Sequence, residues 1–376
     1  DEAHIPLKQL VGQAVRMDIQ TQHSRSDLRP IHGHVSRAEL VGSNGGFARY
    51  RLVIEPWLAF LRSRHDSFLF QDQTVFDIVE SVFTDYQGQG KLIPHWRWDV
   101  IERDSYPQRG ITTQYRESDY AFVTRLLAEE GLFYWFEHHA GEGATFGQHT
   151  LVIADHNGAF KPNAQPTIRY HRADSTERED AIVRWQAMRQ LQTNSLGAQS
   201  WDYKSVAGRA MRKHGQSGID RARTLHWQDD PGAYAWEGAD QGERHLTCAV
   251  EALALRNKHF SGESTVRTLS PASTFALTEH FDHAAGTNDS ERFAVLRVAH
   301  GARNNFDEDL QRAANEQLGT ARKGQGNCGN EGETVPHYRN HFTAVRASIA
   351  YRPLTQDGHG RAIHPKPTVR GTQSAI

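Results

Sequence analysis

The spacing of apolar residues changes near residue 73, and this change limits the folds open to the chain. In residues 47–56, Tyr50, Leu52 and Ile54 lie at every second position, which is the period of a β-strand with one buried face. Beyond residue 73 the spacing becomes that of one face of an α-helix. Six apolar residues follow it at i, i+3, i+4, i+7, i+8 and i+11: Val75, Ile78, Val79, Val82, Phe83 and Tyr86. The sequence therefore predicts helices set among β-strands.

Capping signals support two helices in this part of the chain. Thr74, with Asp77 three residues later, is a weak match to a capping box for the first helix. Ser118 can cap a second helix at residues 119–130, and Gly131 stands where a helix commonly ends on a left-handed residue. Both helices thus have a predicted beginning, and the second also has a predicted end.

Strands are predicted on both sides of these helices. Residues 31–40 are a plausible hairpin partner for residues 47–56, because the turn sequence Ser-Asn-Gly-Gly lies between them. An aromatic strand is predicted at residues 132–137 and another strand at 150–154. Residues 65–140 are therefore interpreted as a mixed α/β unit between β segments.

The second half of the chain is predicted to be mainly β. Short strands follow from about residue 180, separated by turn sequences such as Asp-Asp-Pro-Gly at 229–232. Residues 238–256 have helical spacing, and residues 307–318 have a helical composition with few apolar positions, which predicts a partly exposed helix.

Composition argues against several classes of protein. Lys and Arg number 43 against 45 Asp and Glu, so the formal net charge is -2, whereas dedicated nucleic-acid-binding proteins usually carry a basic surplus. The apolar runs fall well short of the ~20 residues that cross a bilayer. Only Cys248 and Cys328 are present, which favours synthesis in a reducing compartment. We expect no nucleic-acid partner, no membrane-spanning segment and no signal peptide, and the non-Met start predicts an internal cut or a processed end.

The stretch at residues 115–138 resembles the signature region of the VgrG family. It reads as a strand ending in QYRES, a helix containing RL and EEG, and an aromatic strand ending in FEH. Further stretches resemble the family in the same order: residues 51–58, 70–73, 149–155, 229–233, 260–263, 293–300, 338–342, 351–353 and 367–375. The resemblance covers nearly the whole chain.

The resemblance implies a mainly β fold with an α/β insertion (α+β), built on two related β-barrels of the phage tail-hub type. The first barrel would take residues 1–64, without its N-terminal strands, and residues 141–178, with the insertion at 65–140. The second barrel would take residues 179–352. Residues 353–376 would be a linker toward an OB-fold and a β-helix spike. No internal repeat is evident in the sequence, so the duplication rests on the resemblance alone.

The resemblance also implies a function, that of a structural hub of a type VI secretion spike. Such a hub is expected to be a homotrimer that joins a hexameric inner tube to a membrane-piercing tip and delivers effectors on contraction. Two similar barrels in each of three subunits would present six equivalent units to the tube. The expected partners are the tube protein, baseplate proteins, and effectors or adaptors carried by the C-terminal spike. Assembly would take place in the bacterial cytoplasm, followed by translocation.

Two other functions fit parts of the same pattern. A phage-type baseplate hub would share the fold, and neighbouring genes would distinguish it from a secretion spike. A cell-wall hydrolase carried on such a hub would need a catalytic site, and the sequence assembles none. We therefore expect no enzymatic activity, no cofactor and no metal.

Two motifs have the letters of known sites without their context. Gly324, Gly326 and Gly329 spell GxGxxG, but dinucleotide binding needs a strand before this motif and a helix after it. A polar helix-like segment precedes it here, so a loop is the preferred interpretation. Ser217 does not stand in a GxSxG elbow, and Cys248 is predicted to be a small core residue of a helix.

Glu129 and Glu130 form an acidic pair at the end of a predicted helix. Adjacent side chains on a helix point about 100° apart, so this pair does not face one substrate bond as glycosidase carboxylates do. They are predicted to be solvated. A contact role is the alternative, because a carboxylate at a helix C-terminus is electrostatically unfavourable.

Histidine is unusually frequent, at 22 residues, and only His32/His34 and His138/His139 are close enough along the chain to suggest a site. His32 and His34 share one face of a strand, as zinc ligands sometimes do, but two ligands make no site. They are predicted to be ordinary barrel-surface histidines, with metal binding or a pH switch as the alternatives.

The aromatic strand contains four consecutive rings, Phe133, Tyr134, Trp135 and Phe136. Its faces alternate, so two rings could pack in the core while two contact another subunit. Packing within the insertion is the preferred interpretation.

Overall fold

The structure, a computed structural model, describes residues 5–21, 28–44, 46–88, 90–141, 147–171, 179–201, 209–214, 224–233, 235–236, 238–283, 292–303, 308–319, 337–357 and 361–368. Its helices are α1 (Leu7–Leu10), α2 (Val75–Thr84), α3 (Asp119–Glu129), α4 (Ala239–Asn257) and α5 (Glu308–Leu318). Its strands are β1 (Ala14–Gln20), β2 (Leu28–Asn44), β3 (Phe47–Glu55), β4 (His65–Gln73), β5 (Trp96–Asp99), β6 (Arg109–Ser118), β7 (Phe133–His139), β8 (Gln148–Ala154), β9 (Lys161–Arg169), β10 (Ile182–Arg189), β11 (Ser195–Trp201), β12 (Arg209–His214), β13 (His226–Ala233), β14 (Lys258–Ser264), β15 (Ser273–Thr278), β16 (Phe293–Ala302) and β17 (Tyr338–Arg346). Among the described residues no helix combines the length and apolar character needed to span a membrane.

The N-terminal sheet is antiparallel, in the order β1-β2-β3. The hairpin predicted from the alternating pattern is confirmed, with Leu40 opposite Tyr50. Two register shifts interrupt the β2–β3 ladder, and such bulges increase the local twist of a strand. Among the strands that the structure describes, β3 pairs with β2 alone, so it forms an edge of this sheet.

Both predicted helices of the α/β unit are confirmed. The Thr74 hydroxyl accepts from the Asp77 backbone N–H, and the Asp77 carboxylate accepts from the Thr74 N–H at 3.0 Å, which completes the capping box of α2. The Ser118 hydroxyl accepts from the Ala121 N–H at the start of α3. Local sequence signals therefore fix the beginning of each helix.

Gly131 ends α3 as predicted, with φ at +73°. The Leu132 N–H reaches back to the Leu127 carbonyl at 2.8 Å, which satisfies one of the last carbonyls of the helix. A Cβ at this position would stand 2.6 Å from the Cys248 sulfur. The glycine is thus needed both for the turn and for the close approach of α4.

The largest core lies inside the α/β unit, which consists of α2, α3, the β4–β6 ribbon and the three-stranded sheet β5-β8-β7. Fully buried aromatic side chains fill its centre: Trp57, Phe76, Phe83 and Phe122. Trp57 begins a 3₁₀ helix (Trp57–Arg62) that enters this core directly after β3. Rings of this size supply most of the apolar area that such a unit buries.

The aromatic strand β7 has both of its faces covered. Phe133 and Trp135 pack with Phe160 on one face, while Tyr134 and Phe136 pack against the main core on the other. The preferred interpretation as core packing is confirmed.

The second half is built round a six-stranded sheet in the order β10-β14-β17-β16-β15-β9. Its core contains Trp185, Phe260, Phe275 and Phe293. The two edge strands meet only at an isolated bridge formed by residues 170 and 182, so the sheet is curled, and no closed barrel is present among the described residues. The prediction of a mainly β fold with an α/β insertion is therefore confirmed, whereas two closed barrels are not found among these residues.

The segment at residues 141–178, which the resemblance assigns to the first barrel, contributes to other sheets. Its strand β8 lies between β5 and β7, and its strand β9 pairs in parallel with β15. No described residue of the segment pairs with β1, β2 or β3.

A smaller sheet, β12-β11-β13, packs against the long helix α4. The turn predicted at residues 229–232 is wrong, because these residues lie within β13. The turn-forming residues are accommodated within the strand by a register shift at Pro231, and Gly232 adopts a φ of +98°. An edge strand tolerates a proline that lacks a backbone N–H. The two predicted helices of this half are confirmed as α4 and α5.

Replacing Thr74 with alanine is expected to lower the free energy of unfolding by about 1 kcal/mol, because the Asp77 amide loses its acceptor. Thr74→Ser is the matched control, since it keeps the hydroxyl oxygen and should stay close to the wild type. Urea denaturation followed by circular dichroism measures both. An alanine variant as stable as the serine variant would contradict the role of this cap.

Candidate functional site: a charged junction and a buried histidine cluster

The structure describes only some of the predicted candidates. Gly324, Gly326, Gly329 and Ser217 lie outside the described residues, as does Cys328. The acidic pair, the two histidines, Cys248 and the aromatic strand lie within them.

The prediction that Glu129 and Glu130 are solvated is wrong. The Glu130 side chain is only 1% exposed and lies 2.9 Å from the Arg109 guanidinium, while Arg244 donates to its other oxygen. Glu129 pairs with Arg109 at 3.0 Å, with Arg125 at 3.4 Å and with Lys366 at 3.3 Å. We call these six residues the charged junction.

The charged junction joins separate parts of the chain at the end of α3. Arg109 comes from β6, Arg244 from α4, and Lys366 from the segment after β17. The Arg244 guanidinium also lies over the Tyr106 ring, 4.1 Å from its centre. Cations at the C-terminal end of α3 offset the unfavourable position of its carboxylates. The contact role, the alternative interpretation, is therefore the one the structure supports.

The electrostatics of the junction favour ion pairing over acid–base chemistry. Burial raises the pKa of Glu129, but Lys366, Arg109 and Arg125 together outweigh burial and hold that pKa below its usual value. A general acid at neutral pH needs the opposite shift. The acidic pair thus acts as a clamp between segments.

A second clamp lies beside the first. Arg352 donates to Glu251 of α4 at 2.8 Å and to the backbone carbonyls of Asp155 and Gly131. Burial raises the pKa of the adjacent Cys248 thiol, which keeps it protonated and weakly nucleophilic. Cys248 is half-buried against Gly131, in agreement with its predicted packing role.

A cleft of about 680 Å³ opens beside the charged junction, between the α/β unit and α4. Its lining carries both signs of charge, with Arg109 and Lys366 near Glu129 and Asp229. The described residues include no group of three or more His, Cys, Asp or Glu arranged to hold a metal ion.

The prediction that His32 and His34 are surface histidines is wrong. They are 3% and 0% exposed and pack against a third ring, His149 of β8, which is 1% exposed. The three ring centres lie 5.1–5.7 Å apart. His138 of β7 lies next to them, 6.1 Å from His149. These four residues form the histidine cluster.

The sequence singled out His32 with His34 and His138 with His139, but it missed His149 and the contact between the two pairs. His32 Nδ1 and His149 Nδ1 are 2.8 Å apart, although 117 residues separate them along the chain. His138 and His149 lie close together because they are directly paired in the β7–β8 ladder. Only a correct pairing of β7 with β8 could have revealed it.

Replacing Glu130 with glutamine should lower the free energy of unfolding by about 1–3 kcal/mol, because the half-buried Arg244 guanidinium loses its carboxylate, while Arg109 keeps Glu129. Urea denaturation measures the change. The matched control is Glu243→Gln on α4, where an exposed carboxylate pairs with Lys213, and this variant should change stability little. Equal stability of the two variants would contradict the role assigned to the charged junction.

Comparison with known proteins places this architecture. A family model described as the phage tail baseplate hub (GPD) matches residues 1–306. The type VI secretion system spike protein VgrG1b of Pseudomonas aeruginosa is 27% identical over 374 residues, which are 99% of this chain and 44% of that protein. The chain thus spans less than half the length of that relative.

Solved structures show the same fold. The c3393 protein of E. coli, described as a component of the type VI secretion system with structural similarity to the T4 bacteriophage tail proteins gp27 and gp5, matches with a TM-score of 0.62 and 17% identity. The match covers 98% of this chain and 72% of that one. A tail protein from Neisseria meningitidis matches with a TM-score of 0.56 and 11% identity, over 91% of this chain and 86% of that one.

These matches confirm the resemblance found in the sequence, since the family model and the curated relative each cover most of the chain. The chain belongs to the phage tail baseplate hub (GPD) family and is similar to the VgrG spike proteins of type VI secretion.

Proposed function

We propose that this chain is the structural hub of a type VI secretion spike, a trimeric adaptor between a hexameric inner tube and a membrane-piercing tip. The observation that carries the proposal is the extent of the similarity, since a VgrG spike protein matches 99% of the chain and a hub family model matches residues 1–306. Delivery of effectors on contraction, and baseplate proteins as further partners, belong to the same proposal.

The proposed symmetry needs two comparable β units in each subunit. The curled six-stranded sheet is one candidate, and the open sheet β1-β2-β3 is the other. The open sheet has a free edge, which neighbouring chains can complete in an assembly. The domain limits that the resemblance implies, with barrels at 1–64 with 141–178 and at 179–352, remain part of this proposal, although β8 and β9 pair with strands outside the open sheet.

The free edge of the N-terminal sheet is a candidate subunit contact. Leu52, Val53 and Ile54 of β3 are each 38–40% exposed, although consecutive strand residues point to opposite faces. Helix α5 contacts the other end of β3, where Arg49 donates to the Gly319 carbonyl at 2.7 Å. Exposed apolar side chains on both faces of an edge strand are typical of an interaction site, and a neighbouring subunit would bury them.

We propose no catalytic role for the chain. The acidic pair, the strongest hydrolase candidate in the sequence, is neutralised by Arg109 and Arg244 at the charged junction. A hydrolase carboxylate must instead reach a substrate bond.

A phage-type baseplate hub is the second candidate. The fold match to the tail protein of Neisseria meningitidis favours it, because that match covers 86% of the other chain. Genes for tail fibres and capsid beside this one would favour the phage hub, and genes for a contractile sheath and a secretion ATPase would favour the spike.

The full-length protein should behave as a stable trimer in light scattering at micromolar concentration, because two β units from each of three subunits match the symmetry of a hexameric tube. It should also co-elute with the hexameric tube protein. A full-length protein that stays monomeric, or that never binds the tube, would contradict the proposal.

Replacing Val53 with lysine should weaken this self-association at least tenfold, because it places a charge on the apolar edge of β3. Ile101→Lys is the matched control, since Ile101 is 70% exposed in a loop outside the sheet. Sedimentation over a concentration series measures both variants. Equal association of the two would exclude β3 from the subunit contact.

A further inference from the structure

The histidine cluster joins the N-terminal sheet to the α/β unit. His32 and His34 belong to β2, His138 to β7 and His149 to β8. β2 packs against both β7 and β8, and the rings fill the space between them. The rings are polar groups inside a largely apolar interface between the N-terminal sheet and the α/β unit. The hydrogen bonds of the rings therefore determine how stable this interface is.

The hydrogen bonds fix the proton of each ring. The Trp57 backbone N–H can only donate, and it lies 2.9 Å from His149 Nε2, so that nitrogen accepts. A neutral His149 therefore carries its proton on Nδ1 and donates it to His32 Nδ1 at 2.8 Å. His32 in turn carries its proton on Nε2.

His138 extends the same chain of bonds. The His32 backbone N–H donates to His138 Nδ1 at 3.1 Å, so His138 is neutral with its proton on Nε2. Each of the three rings thus offers one accepting nitrogen to an N–H group. A second proton on any of them would set two N–H groups against each other and break that bond.

The surroundings do not offset such a charge. Among the described residues, the groups that shift the pKa values of the cluster are Arg16 of β1, Arg29 of β2, His139 of β7 and His95 before β5, together with the Lys91 and His32 backbones, and no carboxylate is among them. Arg16 is itself paired with Asp18 at 2.9 Å.

The acidic side chains nearest the cluster are engaged elsewhere. Glu55 lies opposite His34 in the β2–β3 ladder, and its carboxylate accepts from Arg62 at 2.9 Å. Glu137 is flanked along β7 by Phe136 and His138, so it points to the opposite face, where it pairs with Arg97 at 3.0 Å and Lys161 at 2.7 Å. An imidazolium in the cluster would therefore face cations, apolar rings and carboxylates that already pair with Arg62 or Arg16.

We propose that His32, His138 and His149 form a proton-operated latch, which holds the N-terminal sheet against the α/β unit near neutral pH and releases it in acid. The latch acts on the core as well, because Trp57, whose N–H it binds, begins the 3₁₀ helix (Trp57–Arg62) that enters that core. Release would therefore free β2 and the entry of this helix together.

The direction of the pH dependence follows from the environment of the rings. Burial, followed by the neighbouring His32 and other histidines, lowers the pKa of His149 to about 3; burial and then Arg29 lower that of His138 to about 4. Burial also lowers the pKa of His32 and His34, although the Lys91 carbonyl opposes this at His34.

Histidines released to water regain a pKa of about 6.5. Between about pH 6.5 and about pH 4 the released form binds protons that the closed form does not, so the latch loses stability as the pH falls through this range. Each such histidine shifts the equilibrium by up to about tenfold per pH unit.

Hydrogen–deuterium exchange of the native protein, corrected for intrinsic exchange, tests the latch between about pH 7.5 and about pH 5. The Trp57 and His32 amides, which donate to the cluster, should lose protection steeply as the pH falls. The Phe342 and Val345 amides in β17 should keep theirs, because they lie in the other sheet. Equal loss at all four amides would overturn the proposal, since it would indicate global unfolding.

Two substitutions test whether the loss of protection in acid comes from the latch or from acid destabilisation of the whole protein. In His149→Gln and His138→Gln the amide oxygen can still accept, but the side chain no longer titrates, so each variant should lower the number of protons taken up on opening by about one. Either variant suffices if the other does not fold. His341→Gln on β17, outside the cluster, is the matched control and should keep the wild-type slope. A wild-type slope in a folded cluster variant would also overturn the proposal.

Discussion

The ion pairs at the end of α3 determine how the two halves of this chain are joined. Glu130 lies at the end of α3 and Arg244 on α4, and the buried Glu130 carboxylate requires a cationic partner. Arg109 and Lys366 draw β6 and the last described segment into the same place. Such a cluster adds little stability over an apolar contact of equal size, but it accepts only one arrangement of its members.

The remaining architecture fits a component of an assembly. Apolar side chains fill the cores of the α/β unit and of the six-stranded sheet, while β3 leaves Leu52, Val53 and Ile54 partly uncovered at a free edge. The buried apolar side chains therefore stabilise the fold of the single chain, whereas the exposed apolar side chains of β3 are available for contact with a neighbouring subunit. The histidine cluster lies between the free-edged sheet and the α/β unit, where a change in charge would alter how that sheet is presented.

The sequence predicted those features whose causes are local. The helix at residues 75–84 follows from its apolar spacing and its capping box, and the hairpin of β2 and β3 follows from alternation and a turn. Long-range partners were not predictable in this way. Arg244 lies 114 residues from Glu130, and no local pattern marks it as the group that makes a buried carboxylate tolerable. The strand at 229–232 was missed because its turn residues are absorbed into a bulge.

Electron microscopy of the full-length protein bound to its tube protein tests the central claim most directly. The account predicts a threefold complex in which three copies of this chain form a six-lobed ring on one end of a hexameric tube. The free edge of β3 should lie at the contact between neighbouring copies. A complex with a single copy on the tube, or with β3 exposed to solvent throughout, would contradict the account.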